Sequence, residues 1–360
     1  MTMADVTIHG AGIFGLAIAW ECVRRGARVQ VVDPNGVGAG SSGGLVGALA
    51  PHVPENWNDK KVFQFESLIM AEAFWAAVEA AGGVSPGYRR SGRLQPIADR
   101  RALDLARVRA ENAETLWQGR AQWRVRPAAE LGDWCPPSAT GMVIHDTLSA
   151  RMNPRRAGAA LVAALAVRGV QVVDSAPDHG AVIEATGLAG LEMLCRELGE
   201  PVGSGVKGQS ALLRFHTAPD APQLFADAVH IVPHADGTLA IGSTSERDFD
   251  DPAATDSQLD EVIARAVAAV PVLHGAQVIE VWAGVRPRAA TRAPMLGQHP
   301  LHAGRFIANG GFKIGFGMAP KVAQVMADLV LEGRDAIPEG FRVEASLRGP
   351  GALAPRCREL

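Results

Sequence analysis

Residues 5–33, DVTIHGAGIFGLAIAWECVRRGARVQVVD, constrain the fold more than any other part of the chain. A short apolar strand runs into a glycine-rich turn, an apolar helix and a second strand that ends on Asp33. Gly10 permits a tight turn, Gly12 lets the backbone approach a pyrophosphate, and Gly15 allows the helix to pack closely on the strand. The first N–H groups of the helix can bind phosphates, and the acid can accept hydrogen bonds from a ribose. The segment therefore predicts a dinucleotide-binding site.

The same glycine spacing occurs twice more, at 38–43 and 203–208, and these copies show how much the context matters. The copy at 38–43 follows a Pro-Asn-Gly turn, and the copy at 203–208 leads into a strand-like segment. Only the first copy has the strand, helix and acid in the required order. Because a carboxylate at Asp33 would repel a 2′-phosphate, the site fits FAD or NAD and not NADP.

Length and charge limit the classes of protein to which the chain can belong. With 360 residues, two domains are expected, and a net charge of -3 argues against a dedicated nucleic-acid surface. No apolar run reaches the length needed to span a membrane, so a cytoplasmic protein is expected. The cysteines lie far apart in the sequence, which indicates neither a disulfide framework nor a zinc site, and no metal is expected.

The rest of the chain alternates helices and strands. Apolar periodicity predicts helices over residues 59–81, 102–117, 154–167, 257–270 and 318–332. It predicts strands over residues 93–97, 122–126, 142–145, 170–173, 181–187, 207–215, 228–233, 238–242, 277–283 and 305–309. The pattern predicts an α/β fold with a discontinuous Rossmann-type nucleotide-binding domain and an inserted, mostly antiparallel β substrate domain. The first comprises 1–85, 148–206 and 284–345, the second comprises 86–147 and 207–283, and a tail covers 346–360.

Two further glycine-rich segments are candidates for ligand contact. The run 38–52 consists mostly of small residues and includes the hydroxyls of Ser41 and Ser42. Such a run lets the backbone lie flat against a planar ligand, although a flexible loop explains it equally well. The turn 310–317 separates a strand from a helix and carries Lys313 in an apolar setting. Lysine is scarce in this chain, which makes Lys313 a candidate functional residue.

Blocks along most of the chain resemble, in order, the D-amino acid oxidase superfamily of FAD enzymes. Its glycine oxidase and monomeric sarcosine oxidase branches are the nearest. The blocks are the first glycine motif, the small-residue run into 49–51, the strand ending at 185–187, the segments 230–233 and 242–244, the sequence Gly-Val-Arg-Pro at 284–287, and the turn 311–313.

The resemblance implies which residues meet the substrate. Arg286 stands where the family pairs the substrate carboxylate, and Lys313 matches a basic residue that faces the substrate. His230 replaces a substrate-facing tyrosine of glycine oxidase. His52, Ala50 and Ser245 fall on the same side of the expected site. Taken without the family, Arg286 is better explained as an exposed basic strand end, and the histidines are more often structural.

The resemblance also implies FAD, bound non-covalently because no counterpart of the flavin-linking cysteine follows Arg286. The segment 174–181 is shorter than in the family, so the family's contacts to the adenine are not carried over to this segment. The implied cofactor contacts are Gly10, Gly12, Ile13, Phe14, Gly15, Asp33, Pro34, Ser41, Ser42, Gly44, Leu45, Val46, Gly47, Ala48, Leu49, Ala185, Thr186, Gly187, Gly311, Phe312, Lys313, Ile314 and Gly315.

The reaction implied is oxidation of a small amino acid or N-substituted glycine by hydride transfer to flavin. The imine formed is then hydrolysed to an oxo acid and an amine. Such chemistry needs little acid–base machinery, because the cofactor supplies it and the protein supplies orientation and charge. Oxygen or another acceptor reoxidises the flavin. The alternatives are an FAD-dependent dehydrogenase with another acceptor, an NAD-dependent dehydrogenase, and a non-catalytic flavoprotein.

Overall fold

The structure is a computed structural model that describes residues 3–347. The strands are β1 (Val6–His9), β2 (Val29–Val32), β3 (Ala48–Leu49), β4 (Arg93–Pro96), β5 (Trp123–Pro127), β6 (Met142–Asp146), β7 (Ala150–Arg151), β8 (Val172–Val173), β9 (Ala181–Glu184), β10 (Gly203–Arg214), β11 (Gln223–Ala226), β12 (Val229–Pro233), β13 (Thr238–Gly242), β14 (Gln277–Ala289), β15 (Met295–Gln298) and β16 (Arg305–Asn309). The helices are α1 (Ile13–Arg24), α2 (Asp59–Gly82), α3 (Arg100–Leu116), α4 (Pro154–Val167), α5 (Gly187–Leu198), α6 (Ser257–Ala269), α7 (Gly315–Glu332) and α8 (Val343–Leu347).

One sheet carries the nucleotide motif. Its order is β15-β16-β9-β1-β2-β8, with every pairing parallel except that of β15 with β16. The side chains of Val6, Thr7 and Ile8 are fully buried, because β1 lies at the centre of the sheet with helices packed over it. Helix α1 contacts β1, β2 and β16 and packs with α4 and α7, whereas α5 packs near β16. The carboxyl ends of β1, β2 and β9 therefore meet at one edge, where ligands bind in such sheets.

The second large sheet has the order β14-β10-β13-β12-β11-β4-β6-β5 and is antiparallel except where β11 meets β4. Helix α6 covers it and shares a core with strand residues that include Leu213, Ile231 and Ile241. The predicted mixed α/β fold, with a Rossmann-like parallel sheet and a separate antiparallel sheet, is thus confirmed.

Strands β10 and β14 pair along almost their whole length, from Gly203 opposite Ala289 to Arg214 opposite Gln277. They continue through the predicted domain boundaries at 206/207 and 283/284, so those positions lie in a sheet and not in linkers. The domain division itself stays a prediction. The glycine copy at 203–208 forms part of β10, which agrees with its reading as a strand lead-in.

Most predicted elements start and end within a few residues of the observed ones, and the differences have local causes. Strand β14 extends to Ala289, beyond the predicted end at 283, because Gly284 and Pro287 pair within the sheet where they had suggested a break. Strand β8 is only Val172–Val173. Strands β3, β7, β11 and β15 were not predicted; two of them are only two residues long. Most of the tail predicted from 346 lies outside the described residues.

The two-residue strands β3 and β7 join the end of the small-residue run to the segment before α4. They pair with Ala48 opposite Arg151 and Leu49 opposite Ala150, and Met152 N donates to Gly47 O at 3.1 Å. The small-residue run is therefore fixed by a sheet contact and is not a free loop. No helix in the described part of the chain is long and apolar enough to cross a membrane.

We expect the α2–α4 contact to be sensitive to a single methyl group. A Cβ on Gly82 would lie 2.5 Å from Ala164 N, whereas one on Gly158 in α4 would lie 3.7 Å from the nearest atom. Gly82→Ala should destabilise the protein by about 1–3 kcal/mol through overpacking. The matched Gly158→Ala should be neutral or stabilise by up to about 1 kcal/mol through helix propensity. Equal midpoints of thermal unfolding for the two variants would contradict this packing.

Candidate active site

The nucleotide turn is built by close backbone contacts that only glycine allows. Gly10 has φ +105°, and a Cβ there would lie 2.4 Å from Ala185 O at the end of β9. A Cβ on Gly15 would lie 1.9 Å from Gly10 O, so the first turn of α1 can sit directly on the strand end. Ser42 Oγ accepts a hydrogen bond from Ile13 N at 3.0 Å. The turn thus brings α1, β9 and the serine loop together.

Asp33 is fixed at the end of β2 by the same turn. Its Oδ2 accepts from Ala11 N at 2.8 Å, and its Oδ1 accepts from Asn35 N at 3.0 Å. Each carboxylate oxygen has a second lone pair for a further donor. The residue is therefore positioned to accept hydrogen bonds from a ribose next to the glycine turn.

A cavity of about 980 Å³ extends from this turn to the face of the second large sheet. Of the predicted cofactor contacts, the following line it: Gly10, Gly12, Ile13, Phe14, Asp33, Pro34, Ser41, Ser42, Gly44, Leu45, Val46, Gly47, Ala48, Ala185, Thr186, Gly187, Gly311, Phe312, Lys313 and Gly315. Gly15, Leu49 and Ile314 are not among the lining residues. Gly15 packs behind the turn, Leu49 is buried, and Ile314 caps α7.

Arg286 projects from β14 into the cavity. Its Nη2 donates to Ser243 Oγ at 2.7 Å and its Nη1 to Thr244 O at 3.3 Å. The guanidinium lies flat over Gly208, where a Cβ would come within 1.9 Å of Nη1. Burial lowers the pKa of Arg286 to about 10, partly offset by the charge of Glu246. Arg286 remains charged at neutral pH and is oriented by neutral acceptors only.

A buried polar network supports Arg286 from behind. Lys207 is 3% exposed, and its Nζ lies 3.6 Å from Glu246 Oε2. Glu246 Oε1 accepts from Gln209 Nε2 at 3.1 Å, and Lys207 O lies 3.5 Å from Arg286 Nη1. Lys207 lies on an interior strand, because β10 runs between β13 and β14.

Lys313 enters the same cavity from the turn before α7. Its Nζ lies 5.6 Å from the centre of the Phe312 ring. Burial lowers its pKa, and the positive charge of Arg286 lowers it further. Among residues 3–347, neither Arg286 nor Lys313 forms an ion pair with an acid. The cavity therefore presents two cations that favour an anionic group.

His230 also lines the cavity, on β12. Its ring lies 4.6 Å from that of Phe225, and its buried Nδ1 has no hydrogen-bond partner. Burial lowers the pKa of His230 to about 3, with help from the charges of Arg93 and Lys313. His230 is therefore uncharged at neutral pH.

The other predicted substrate-side residues lie outside the cavity lining. The backbone N and the ring Nδ1 of His52 both form hydrogen bonds with Gln64 Oε1. Ala50 O accepts a hydrogen bond from Gln64 Nε2 at 3.1 Å. Helix α2 thus holds both residues away from the cavity. Ser245 is exposed on the loop after β13. The structure does not bring these three residues to Arg286 and Lys313.

Several lining residues were not predicted from the sequence, and Trp282 is the largest of them. Its indole covers Gly44, where a Cβ would lie 3.3 Å from the ring, and it also lies against Gly284. Ser243 holds Arg286, and Phe225 contacts His230. Trp282 lies four residues before Arg286, a spacing that places both on one face of a strand. That periodicity would have identified Trp282 had β14 been predicted at its full length.

The chain offers a good fit for FAD. The cavity is long enough to join the glycine turn to the cations, and Gly12 lies where a Cβ would meet Ser42 Oγ at 3.2 Å. Asp33 and the glycine turn lie at one end of the cavity, and Arg286 and Lys313 line it as well. The shape and donors match a dinucleotide with a flat ring system at the cation end.

The pKa of His230 makes stability depend on pH in a defined direction. The unfolded histidine binds a proton near pH 6.5, whereas the native one binds it only near pH 3, so His230 costs stability as the pH falls through this window. His230→Gln should reduce the loss of unfolding free energy between pH 7.5 and 4.5 by about 1–3 kcal/mol. Urea unfolding at both pH values measures this. His274→Gln, at an exposed position, is the control. An equal loss of unfolding free energy in wild type and in His230→Gln would refute this role of His230.

Comparisons with known proteins agree with this geometry. Residues 5–329 match the DAO family, described as FAD dependent oxidoreductase. Glycine oxidase of Geobacillus kaustophilus is 26% identical over 353 residues, covering 91% of this chain and 92% of that protein. Glycine oxidase of Pseudomonas putida is 28% identical over 369 residues, covering 91% and 94%. The crystal structure of the Geobacillus enzyme superposes with a TM-score of 0.81 at 23% identity, covering 95% of this chain and 99% of that one.

The family match decides between the cofactors that the glycine motif left open. It covers the nucleotide turn, the small-residue run, Arg286 and the Lys313 turn within one continuous assignment. FAD, and not NAD, is therefore the cofactor. The chain belongs to the DAO family of FAD-dependent oxidoreductases.

Proposed function

We propose that this flavoenzyme oxidises the C–N bond of a small amino acid or N-substituted glycine, with oxygen as the electron acceptor. The observation that carries the proposal is the pair of cations, Arg286 and Lys313, that face the cavity without an acidic partner in the described chain. A substrate carboxylate would supply the missing negative charge. The similarity to proteins named glycine oxidase supports both the substrate class and oxygen.

The residues that would hold FAD divide into two groups. The glycine turn and the N-terminus of α1 would bind the pyrophosphate, and Asp33 the ribose. The segment 44–48 and the turn 311–315 would border the ring system, with Trp282 against Gly44. When bound, FAD supplies a two-electron acceptor for a hydride. Side chains of this protein must bind the substrate, orient it and set the charge around it.

Arg286 would hold the substrate carboxylate. Its guanidinium is fixed by Ser243 and Thr244 and keeps further N–H donors for a ligand, and a guanidinium binds a carboxylate through two parallel hydrogen bonds. This contact orients the α-carbon, which is most of what hydride loss from carbon requires. Lys313 adds a second point charge to the same cavity.

Charge in the cavity also favours the reactive form of the substrate. Once Arg286 is paired with the carboxylate, Lys313 remains as a second positive charge in the cavity. A nearby cation disfavours the ammonium form and favours the neutral amine, which is the form that can lose hydride. His230 adds no positive charge at neutral pH, since burial keeps its imidazole neutral. The uncharged ring can therefore contact the amine without adding a second positive charge beside it.

Replacing Arg286 tests the carboxylate assignment. Arg286→Ala should raise KM for the best amine substrate by about 100-fold or more, because a charge-assisted contact is lost in a desolvated site, while FAD stays bound. Steady-state kinetics and the flavin absorbance of the purified variant measure the two effects. Arg214→Ala, at an exposed arginine at the far end of β10, is the matched control. An unchanged KM in Arg286→Ala would exclude this role for Arg286.

Replacing Asp33 tests the ribose assignment. Asp33→Ala should weaken FAD binding by about 10- to 100-fold, since it removes both a ribose acceptor and the anchor of Ala11 N. Asp174→Ala is the control, because Asp174 follows β8, the strand next to β2, and is exposed. Fluorescence titration of the apoprotein with FAD gives the dissociation constants. Similar constants for both variants would contradict the proposed position of the ribose.

A further inference from the structure

The segment after β13 folds back onto β10, close to Arg286. Lys207 N donates to Glu246 O at 2.9 Å, and Glu246 N donates to Lys207 O at 3.0 Å. Thr244 N donates to Gln209 O at 3.3 Å. This segment therefore lies as a short antiparallel stretch along the edge of β10 opposite β14.

The segment carries two of the three acceptors that orient the guanidinium of Arg286. Ser243 Oγ accepts from Nη2 at 2.7 Å, and Thr244 O accepts from Nη1 at 3.3 Å. The third acceptor, Lys207 O, lies at 3.5 Å, and the guanidinium lies flat over Gly208. If the segment moved, Arg286 would lose its two shorter hydrogen bonds together.

The side chain of Glu246 holds the segment on β10. It is buried, and its Oε1 accepts hydrogen bonds from the hydroxyl of Thr244 and from Gln209 Nε2, the latter at 3.1 Å. The hydroxyl of Thr244 also accepts from Gln209 N at 2.8 Å. Because its side chain is held from two directions, Thr244 has little freedom to turn its carbonyl away from Arg286.

The charge of Glu246 is balanced by Lys207. Lys207 Nζ lies 3.6 Å from Glu246 Oε2, and both side chains are buried. Since the lysine pairs with this carboxylate, the remaining N–H donors of Arg286 stay available to a ligand. Thr244 and Glu246 are not among the residues that line the large cavity, so they would not contact a ligand bound there.

We propose that Glu246 is a positioning residue for the substrate carboxylate: acting through the hydroxyl of Thr244, it holds Arg286 in the orientation that binds the carboxylate. This inference rests on the proposed function, because Arg286 is the residue that binds the substrate there. A guanidinium binds two oxygens of one carboxylate only in a defined orientation, so a small displacement lowers the affinity.

Acetate binding to the FAD-loaded protein tests the proposal without relying on catalysis. Isothermal titration calorimetry at constant ionic strength, with chloride as the reference salt, gives the dissociation constant. Thr244→Val removes the hydroxyl, keeps the carbonyl and should raise the dissociation constant of acetate by about 5- to 30-fold. Thr244→Ser keeps the hydroxyl and should stay within about twofold of wild type. The dissociation constant of FAD should be unchanged in both variants.

A double variant tests Glu246 without leaving Lys207 unpaired. Lys207→Met with Glu246→Met replaces the buried ion pair by apolar side chains of similar volume and removes the acceptor of the Thr244 hydroxyl. It should weaken acetate binding as much as Thr244→Val does. If the double variant does not fold, the comparison of Thr244→Val with Thr244→Ser decides.

An Arg286→Lys background shows whether the effect passes through Arg286. Lysine keeps the charge but lacks the planar fork, so adding Thr244→Val should cause no further loss of acetate binding. A full additional loss, a parallel loss of FAD binding, equal acetate binding in Thr244→Val and Thr244→Ser, or unchanged binding in the double variant would overturn the role of Glu246 and leave the proposed function intact. Equal acetate binding in Arg286→Lys and wild type would instead contradict the carboxylate assignment of Arg286, and the positioning role with it.

Discussion

The close approach of three backbone segments at the carboxyl end of β1 is the constraint on which the rest of the site depends. Gly10 N donates to Val32 O at 2.8 Å, Ala185 N donates to His9 O at 2.7 Å, and Gly15 sits on Gly10. Any side chain at Gly10 or Gly15 would separate β1, β9 and α1. Because these elements meet, the N-terminus of α1, Asp33 and the end of β9 line a single cavity. The dinucleotide site is a consequence of that packing.

The opposite end of the cavity depends on positive charges that no acid in the described part of the chain pairs with. Strand β14 and the turn before α7 bring Arg286 and Lys313 to one space, and the network of Lys207, Glu246 and Gln209 fixes the strand behind them. Orienting the cations with neutral acceptors leaves their charge available to a ligand.

The nucleotide half of the site could be predicted from the sequence because its determinants are local: glycines at fixed spacing, a strand before them and an acid after the next strand. The substrate half could not be, since no spacing motif relates Arg286 on β14 to Lys313 in the turn before α7, and the two were connected only through the family resemblance. His52 and Ser245 were placed on the substrate side, but their orientation depends on Gln64 of α2 and on the loop after β13. Gly284 and Pro287 concealed the length of β14, and with it Trp282.

We propose that the protein oxidises a small carboxylate-bearing amine at a flavin bound in the large cavity. Anaerobic absorbance spectra of the purified protein, titrated with glycine, sarcosine, D-alanine, D-proline and iminodiacetate, test it most directly. We expect the flavin bands to bleach with at least one of these amines and to return rapidly in air, whereas slow return would indicate an acceptor other than oxygen. A yellow protein whose flavin none of the amines bleaches would contradict the account and indicate a non-catalytic flavoprotein.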